Sequence, residues 1–101
     1  MVTAMEKNVL ERTAALIAQG NVTPQVAYVR VDWDGGMAKL TVQYFVDGSI
    51  NDDERELCEL TLTELVAEFP EICAADTQCL PFSQAGSSTA HGIVYRRGTN
   101  P

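Results

Sequence analysis

The sequence has one histidine, one tryptophan and only seven lysines and arginines among 101 residues. So few bases exclude the electrostatic footprint of a nucleic-acid-binding protein. No apolar run approaches the roughly 20 residues that a membrane span requires. No basic stretch followed by an apolar one reads as a secretory signal. The three cysteines, Cys58, Cys73 and Cys79, are odd in number. Cys73 and Cys79 stand six apart with no second pair, which is not a zinc spacing. All three are expected to be reduced, in a cytoplasmic protein.

Catalytic and cofactor signatures are equally sparse. The single histidine, His91, lies in a stretch of loop composition, PFSQAGSSTAHG. Ser87 or Ser88 with His91 could begin a nucleophilic site, but there is no third member and no G-x-S-x-G elbow. Gly35-Gly36 precedes a strand pattern rather than a helix, so it is a turn and not a phosphate cradle. Asp52, Asp53 and Glu54 fit the first turn of a helix, and no Gly-containing calcium loop surrounds them. Arg96-Arg97 is too small for a nucleic-acid footprint. No cofactor or metal is expected, and the chain reads as a binder rather than an enzyme.

What the chain does have is acid, concentrated in one place. Between Asp47 and Asp76 there are ten acids and one base, Arg55; the remainder holds four acids and six bases. The net charge of −7 is therefore polarised. Such a surface repels nucleic acid and anionic membrane and attracts basic protein surfaces.

The centre of that segment is Ser49 to Phe69, which reads as an amphipathic helix. At about 100° per residue, Cys58, Leu62, Leu65, Val66 and Phe69 share an arc, with Leu57 and Thr61 at its edge. Asp52, Asp53, Glu56, Glu59, Glu64 and Glu68 lie mostly outside it. Leu60 falls among the acids instead, between Asp53, Glu56 and Glu64. Asn51 can cap the helix with Glu54 three residues on, or Ser49 can with Asp52. Acids in the first turn suit the helix dipole, and Pro70 ends the helix at Phe69.

Apolar content of 46% and charged content of 21% are those of a folded chain, and the length suits one domain, residues 1–101. Val2 to Gln19 reads as a first helix, with Val2, Met5, Val9, Leu16 and Ile17 on one face and Leu10 at its edge. Gly20 ends it, and Asn21 to Pro24 connects it onward. Gln25 to Trp33 and Met37 to Val46 are strands rich in β-branched and aromatic residues, joined by a turn at Asp34-Gly35-Gly36. Glu71 to Leu80 is a weaker strand and Ile93 to Arg97 a short closing one, with residues 98–101 a frayed tail. The expected fold is α+β, in the order α-β-β-α-β-β. It has a four-stranded, largely antiparallel sheet with two helices packed on one face. The pattern leaves the strand order and the oligomeric state open.

The hairpin VAYVRVDWDGGMAKLTVQYFV, the acidic helix running into a Phe-Pro-Glu-Ile junction (DDERELCELTLTELVAEFPEI) and the closing IVYRR strand resemble small bacterial immunity proteins. In particular they resemble those of contact-dependent growth inhibition systems. The resemblance implies a cytoplasmic inhibitor that binds and blocks the nuclease domain of a cognate toxin. It carries over no residue by motif. The charge pattern points the same way, since a basic nuclease cleft would meet carboxylates where it otherwise meets phosphates. The residues placed at that contact are Asp52, Asp53, Glu56, Glu59, Leu60 and Glu64. Direct binding of nucleic acid or membrane is not expected. Two other readings compete: a small acidic adaptor or secretion chaperone, and a small hydrolase using His91 with a serine or cysteine.

Overall fold

The computed structural model describes residues 7–84 and 92–97. Its elements are α1 (Lys7–Gln19), β1 (Val26–Asp34), β2 (Lys39–Val46), α2 (Asp52–Glu68), β3 (Ala74–Pro81) and β4 (Ile93–Arg96), with a 3₁₀ turn over Phe82–Gln84. This is the expected α+β order. The sheet runs β3-β2-β1-β4. Pairings β1–β2 and β1–β4 are antiparallel, and β2–β3 is parallel. Adjacent parallel strands need a long crossover, and α2 supplies it. Both helices lie on one face: α2 over β2 and β3, α1 over β1 and β4, each touching the other. The tail at 98–101, the start of the first expected helix and His91, Ser87 and Ser88 lie outside the described residues.

The rotation of α1 differs from the expected one. Leu10, Ala14 and Ala18 are fully buried and Ile17 is partly so. Val9 and Leu16, placed on the inner face by the sequence pattern, are 44% and 68% exposed. Two of the three positions in this i, i+4, i+8 stripe are alanines, whose small side chains permit close packing on the sheet. A wheel weighted toward large residues turns the helix the wrong way.

The hairpin also differs in detail. Residues 35–38 form a four-residue turn between Asp34 and Lys39, which are paired. Asp34 Oδ1 accepts hydrogen bonds from the backbone N–H groups of Gly36 and Met37, at 3.1 and 3.2 Å. The left-handed residue is Ala38, at φ 51°, rather than either glycine. The aspartate side chain closes the turn, so the positive φ falls at its last position. In β1, a register shift between Val26 and Tyr28 puts both Val26 and Ala27 in buried positions, where strict alternation predicts only one. In β2 the alternation holds from Lys39 to Tyr44, with Leu40, Val42 and Tyr44 fully buried, but Phe45 and Val46 are then both buried, opposite the same register shift.

The helix-free face of the sheet carries a polar ladder. Arg30 Nη1 donates to Gln43 Oε1 at 2.7 Å, and Gln43 Nε2 donates to Gln78 Oε1 at 2.7 Å. At one corner Phe82 tilts against Tyr28, with ring centroids 5.4 Å apart, and the Arg96 guanidinium lies over the same tyrosine.

Candidate functional site

The acidic helix begins where the capping pattern allows. Asn51 is the N-cap: its side chain accepts from the Asp53 N–H at 3.0 Å, and Glu54 Oε1 accepts from the Asn51 N–H at 3.2 Å. Of the two starts open in the sequence, this is the one used. Such a cap contributes about 0.5–2 kcal/mol. At the other end the Phe69 N–H bonds to the Leu65 carbonyl before Pro70 turns the chain away.

The buried stripe of α2 is Glu54, Cys58, Thr61 and Leu65. It is rotated from the expected arc. Val66 is exposed, whereas Thr61 is fully buried and Glu54 only 2% exposed. Polar residues can occupy this stripe because each is satisfied. The Tyr44 hydroxyl donates to the Asn21 carbonyl at 2.8 Å and shares a 2.6 Å hydrogen bond with Thr61 Oγ1. Asn21 Nδ2 donates to Glu64 Oε2 at 2.9 Å. Thr23 Oγ1 donates to Glu54 Oε2 at 2.8 Å. The connector between α1 and β1 is thus fastened along the flank of α2. Burial pushes the Tyr44 phenol far above its ordinary range, against the hydrogen bond to Thr61, which lowers it.

Cys58 is buried, as expected from the helix pattern, and its sulfur lies 3.6 Å from the Val42 carbonyl oxygen. Interaction with the neighbouring Cys79 thiol, together with burial, raises its pKa well above the usual thiol range. The same interaction lowers that of Cys79. Cys73 is exposed.

On the outer face Asp52, Asp53, Glu56, Glu59, Leu60 and Glu64 are all exposed, Leu60 at 44%. Among the described residues no base forms an ion pair with Asp52, Asp53, Glu56 or Glu59. Glu64 differs, because one of its oxygens accepts from Asn21. Asp53, Glu56 and Leu60 come together around an open recess of about 350 Å³, with Leu57 and Thr23 completing its lining. Asp52, Glu59 and Glu64 do not line it. Leu57 was legible only as an edge residue of the helix arc. Thr23 carries no local signal, since it reaches the site by folding from another part of the chain.

Among the described residues, no group of three or more His, Cys, Asp or Glu side chains is placed to hold a metal ion. No helix among them is long and apolar enough to cross a membrane.

The chain matches the family described as MafI2 immunity protein over residues 8–99. Comparison with curated proteins returns no match. The match covers most of the sequence, and the chain belongs to the MafI2 immunity protein family. The resemblance read from the sequence therefore holds at the level of an immunity protein of a toxin/immunity system, which implies a cognate toxin as partner.

Proposed function

We propose that this MafI2-family chain neutralises its toxin by laying the outer face of α2 over a basic surface of the toxin domain. That surface is the substrate cleft of a nuclease. The contact is made by Asp52, Asp53, Glu56, Glu59, Leu60 and Glu64. Binding alone accounts for protection, with no catalytic step by the immunity protein. The cytoplasm, where an incoming nuclease reaches its substrate, is the place of action. Delivery of that toxin by a contacting cell is the form of the system that the sequence resemblance suggests.

The observation that carries this reading is the lack of internal compensation. Asp52, Asp53, Glu56 and Glu59 are exposed on one helix and unpaired with any base among the described residues. Helix stability does not account for the whole pattern. The last turn of α2 has no base, and Glu68 stands there, where the helix dipole disfavours an acid. A face held negative at some cost suits rapid capture of a basic partner, because charge complementarity acts mainly on the association rate.

The test is co-expression with the toxin domain encoded beside the gene, followed by co-purification and measurement of association at several salt concentrations. Association should slow several-fold between low and physiological ionic strength, where the screening length falls to about 8 Å. A complex whose on-rate ignores salt places the interface away from α2.

A further inference from the structure

We infer that the recess beside Leu60 seats one arginine side chain of the partner protein, its aliphatic stem on Leu57 and Leu60 and its guanidinium between Asp53 and Glu56. This rests on the proposed toxin-binding reading and specifies the chemistry at its centre. Three features of the recess select the occupant. The first is its lining. Leu57 and Leu60 give it apolar surface, and Asp53 and Glu56 give it carboxylates. The second is the state of its remaining polar group. The Thr23 hydroxyl donates to Glu54 at 2.8 Å and accepts from the Gln25 N–H at 3.2 Å, so it has no hydrogen left to offer. The side-chain polar atoms facing an occupant are therefore acceptors only. An anion finds no side-chain donor there. A purely apolar side chain leaves two carboxylates partly desolvated without partners, which is unfavourable.

The third feature is the spacing of the carboxylates. Asp53 and Glu56 are three residues apart on α2, so they are neighbours one turn apart on the helix surface, with Cβ atoms about 5–6 Å from each other. A guanidinium presents five N–H donors in a plane and can bond both carboxylates at once. A lysine ammonium is a compact, strongly hydrated charge and satisfies such a spread less well. Arginine also lays its methylenes along apolar surface while its head stays polar. The recess is already formed, because Thr23 is tied to Glu54 and Asn21 to Glu64, so little ordering is needed on binding.

Two measurements test this. The first titrates the isotope-labelled full chain with N-acetyl-arginine methylamide, its lysine counterpart and its leucine counterpart, followed by NMR. Arginine should move the amides of Thr23 and of residues 53–60 selectively, and should bind at least several-fold more tightly than the other two. Equal shifts at Glu68 and Glu71, or equal binding of the leucine compound, overturns the proposal. The second compares toxin-binding kinetics of Asp53→Asn and Glu56→Gln, inside the recess, with Asp52→Asn and Glu59→Gln, outside it. The inner pair should raise the off-rate about tenfold each, as central interface contacts do. Their double variant should cost less than the product, because both hold one group. The outer pair should only slow association. If all four variants slow association equally and leave dissociation alone, the arginine site is wrong and the acidic-face reading stands. If none of the four alters binding, that reading itself fails.

Discussion

Thr23 donates its hydroxyl hydrogen to Glu54 Oε2 at 2.8 Å, joining the connector after α1 to the first turn of α2. The same carboxylate closes the capping box through its other oxygen. One nearly buried side chain thus starts the helix and fixes the wall of the recess beside Leu60. The link is tertiary, yet its helical half is encoded locally by the N-x-x-E spacing of Asn51 and Glu54.

Thr23→Val should therefore destabilise the fold by about 1–3 kcal/mol, the cost of leaving a buried acceptor without its donor. Thr23→Ser should recover most of that loss, since the hydroxyl returns. Urea denaturation of the three proteins measures both. Equal stability of Thr23→Val and the parent would mean that Glu54 finds another donor or water.

Gly92 should tolerate no side chain. Its φ is +76°, and a Cβ there would run into the Val31 carbonyl oxygen, while the Gly92 carbonyl accepts from the Val31 N–H at 2.9 Å. Gly48 also has a positive φ, +90°, but has open space around it. Gly92→Ala should cost more than about 2 kcal/mol and Gly48→Ala about 1 kcal/mol, a difference visible in thermal melts.

Much of the architecture is legible in the sequence, and the departures share a cause. The capping box, the stop at Pro70, the hairpin and the order of elements follow from local patterns. The rotation of α1 does not, because Ala14 and Ala18 are small and Val9 and Leu16 are large, so size misdirects a hydrophobic wheel. The buried stripe of α2 is only partly legible: Cys58 and Leu65 lie on the expected arc, but Thr61 falls at its edge and Glu54 looks like a surface residue. Those last two are buried only because Thr23, Tyr44 and Asn21 arrive to bond them or their neighbours. The acidic face was legible because it needs no partner within the chain. The recess was not, since Thr23 precedes Glu54 by thirty-one residues.

Alkaline pH should destabilise the protein partly through Tyr44. Burial holds its phenol protonated far above the usual range. In the unfolded chain a tyrosine releases its proton near about pH 10. The contribution is therefore complete below that pH and is lost as the pH rises above it, since only the unfolded state then ionises. Tyr44→Phe should be less stable at neutral pH by about 1–3 kcal/mol, because the Asn21 carbonyl and Thr61 lose their partner. Its stability should also fall less steeply above about pH 10. An unchanged alkaline slope would assign the effect to other groups, such as Cys58.

Thiol labelling should separate the three cysteines. Cys73 is exposed and Cys58 buried, so Cys73 should react fast and Cys58 only on unfolding. Cys79 is half-buried, and interaction with the Cys58 thiol lowers its pKa. The thiolate is the reactive species, so removing the Cys58 thiol should slow Cys79. In a Cys73→Ala background, Cys58→Ala should reduce the labelling rate of Cys79 near neutral pH. A faster rate would mean that Cys58 protects Cys79 by covering it rather than activating it.

Leu60 offers the sharpest separation of fold from function. It is a large apolar side chain, 44% exposed, on a face made mostly of acids. Single exposed leucines are common and on their own carry no meaning. This one lines the recess with Leu57, Asp53 and Glu56, where a partner can cover it. Interfaces concentrate their energy in a few central desolvated contacts, while charges at the rim steer approach. Leu60→Ala should therefore weaken toxin binding by about 1–2 kcal/mol, chiefly through faster dissociation, and change stability by no more than about 0.5 kcal/mol. Glu56→Lys with Glu59→Lys should slow association, because reversing exposed charge removes the attraction that guides encounter, and should also speed dissociation through Glu56, which lines the recess. Both rates and the melting temperature are measured for each variant. A Leu60→Ala protein that melts several degrees lower and binds normally makes Leu60 part of the core. If both variants bind and protect like the parent, the outer face of α2 is solvated surface, and the toxin meets the protein elsewhere.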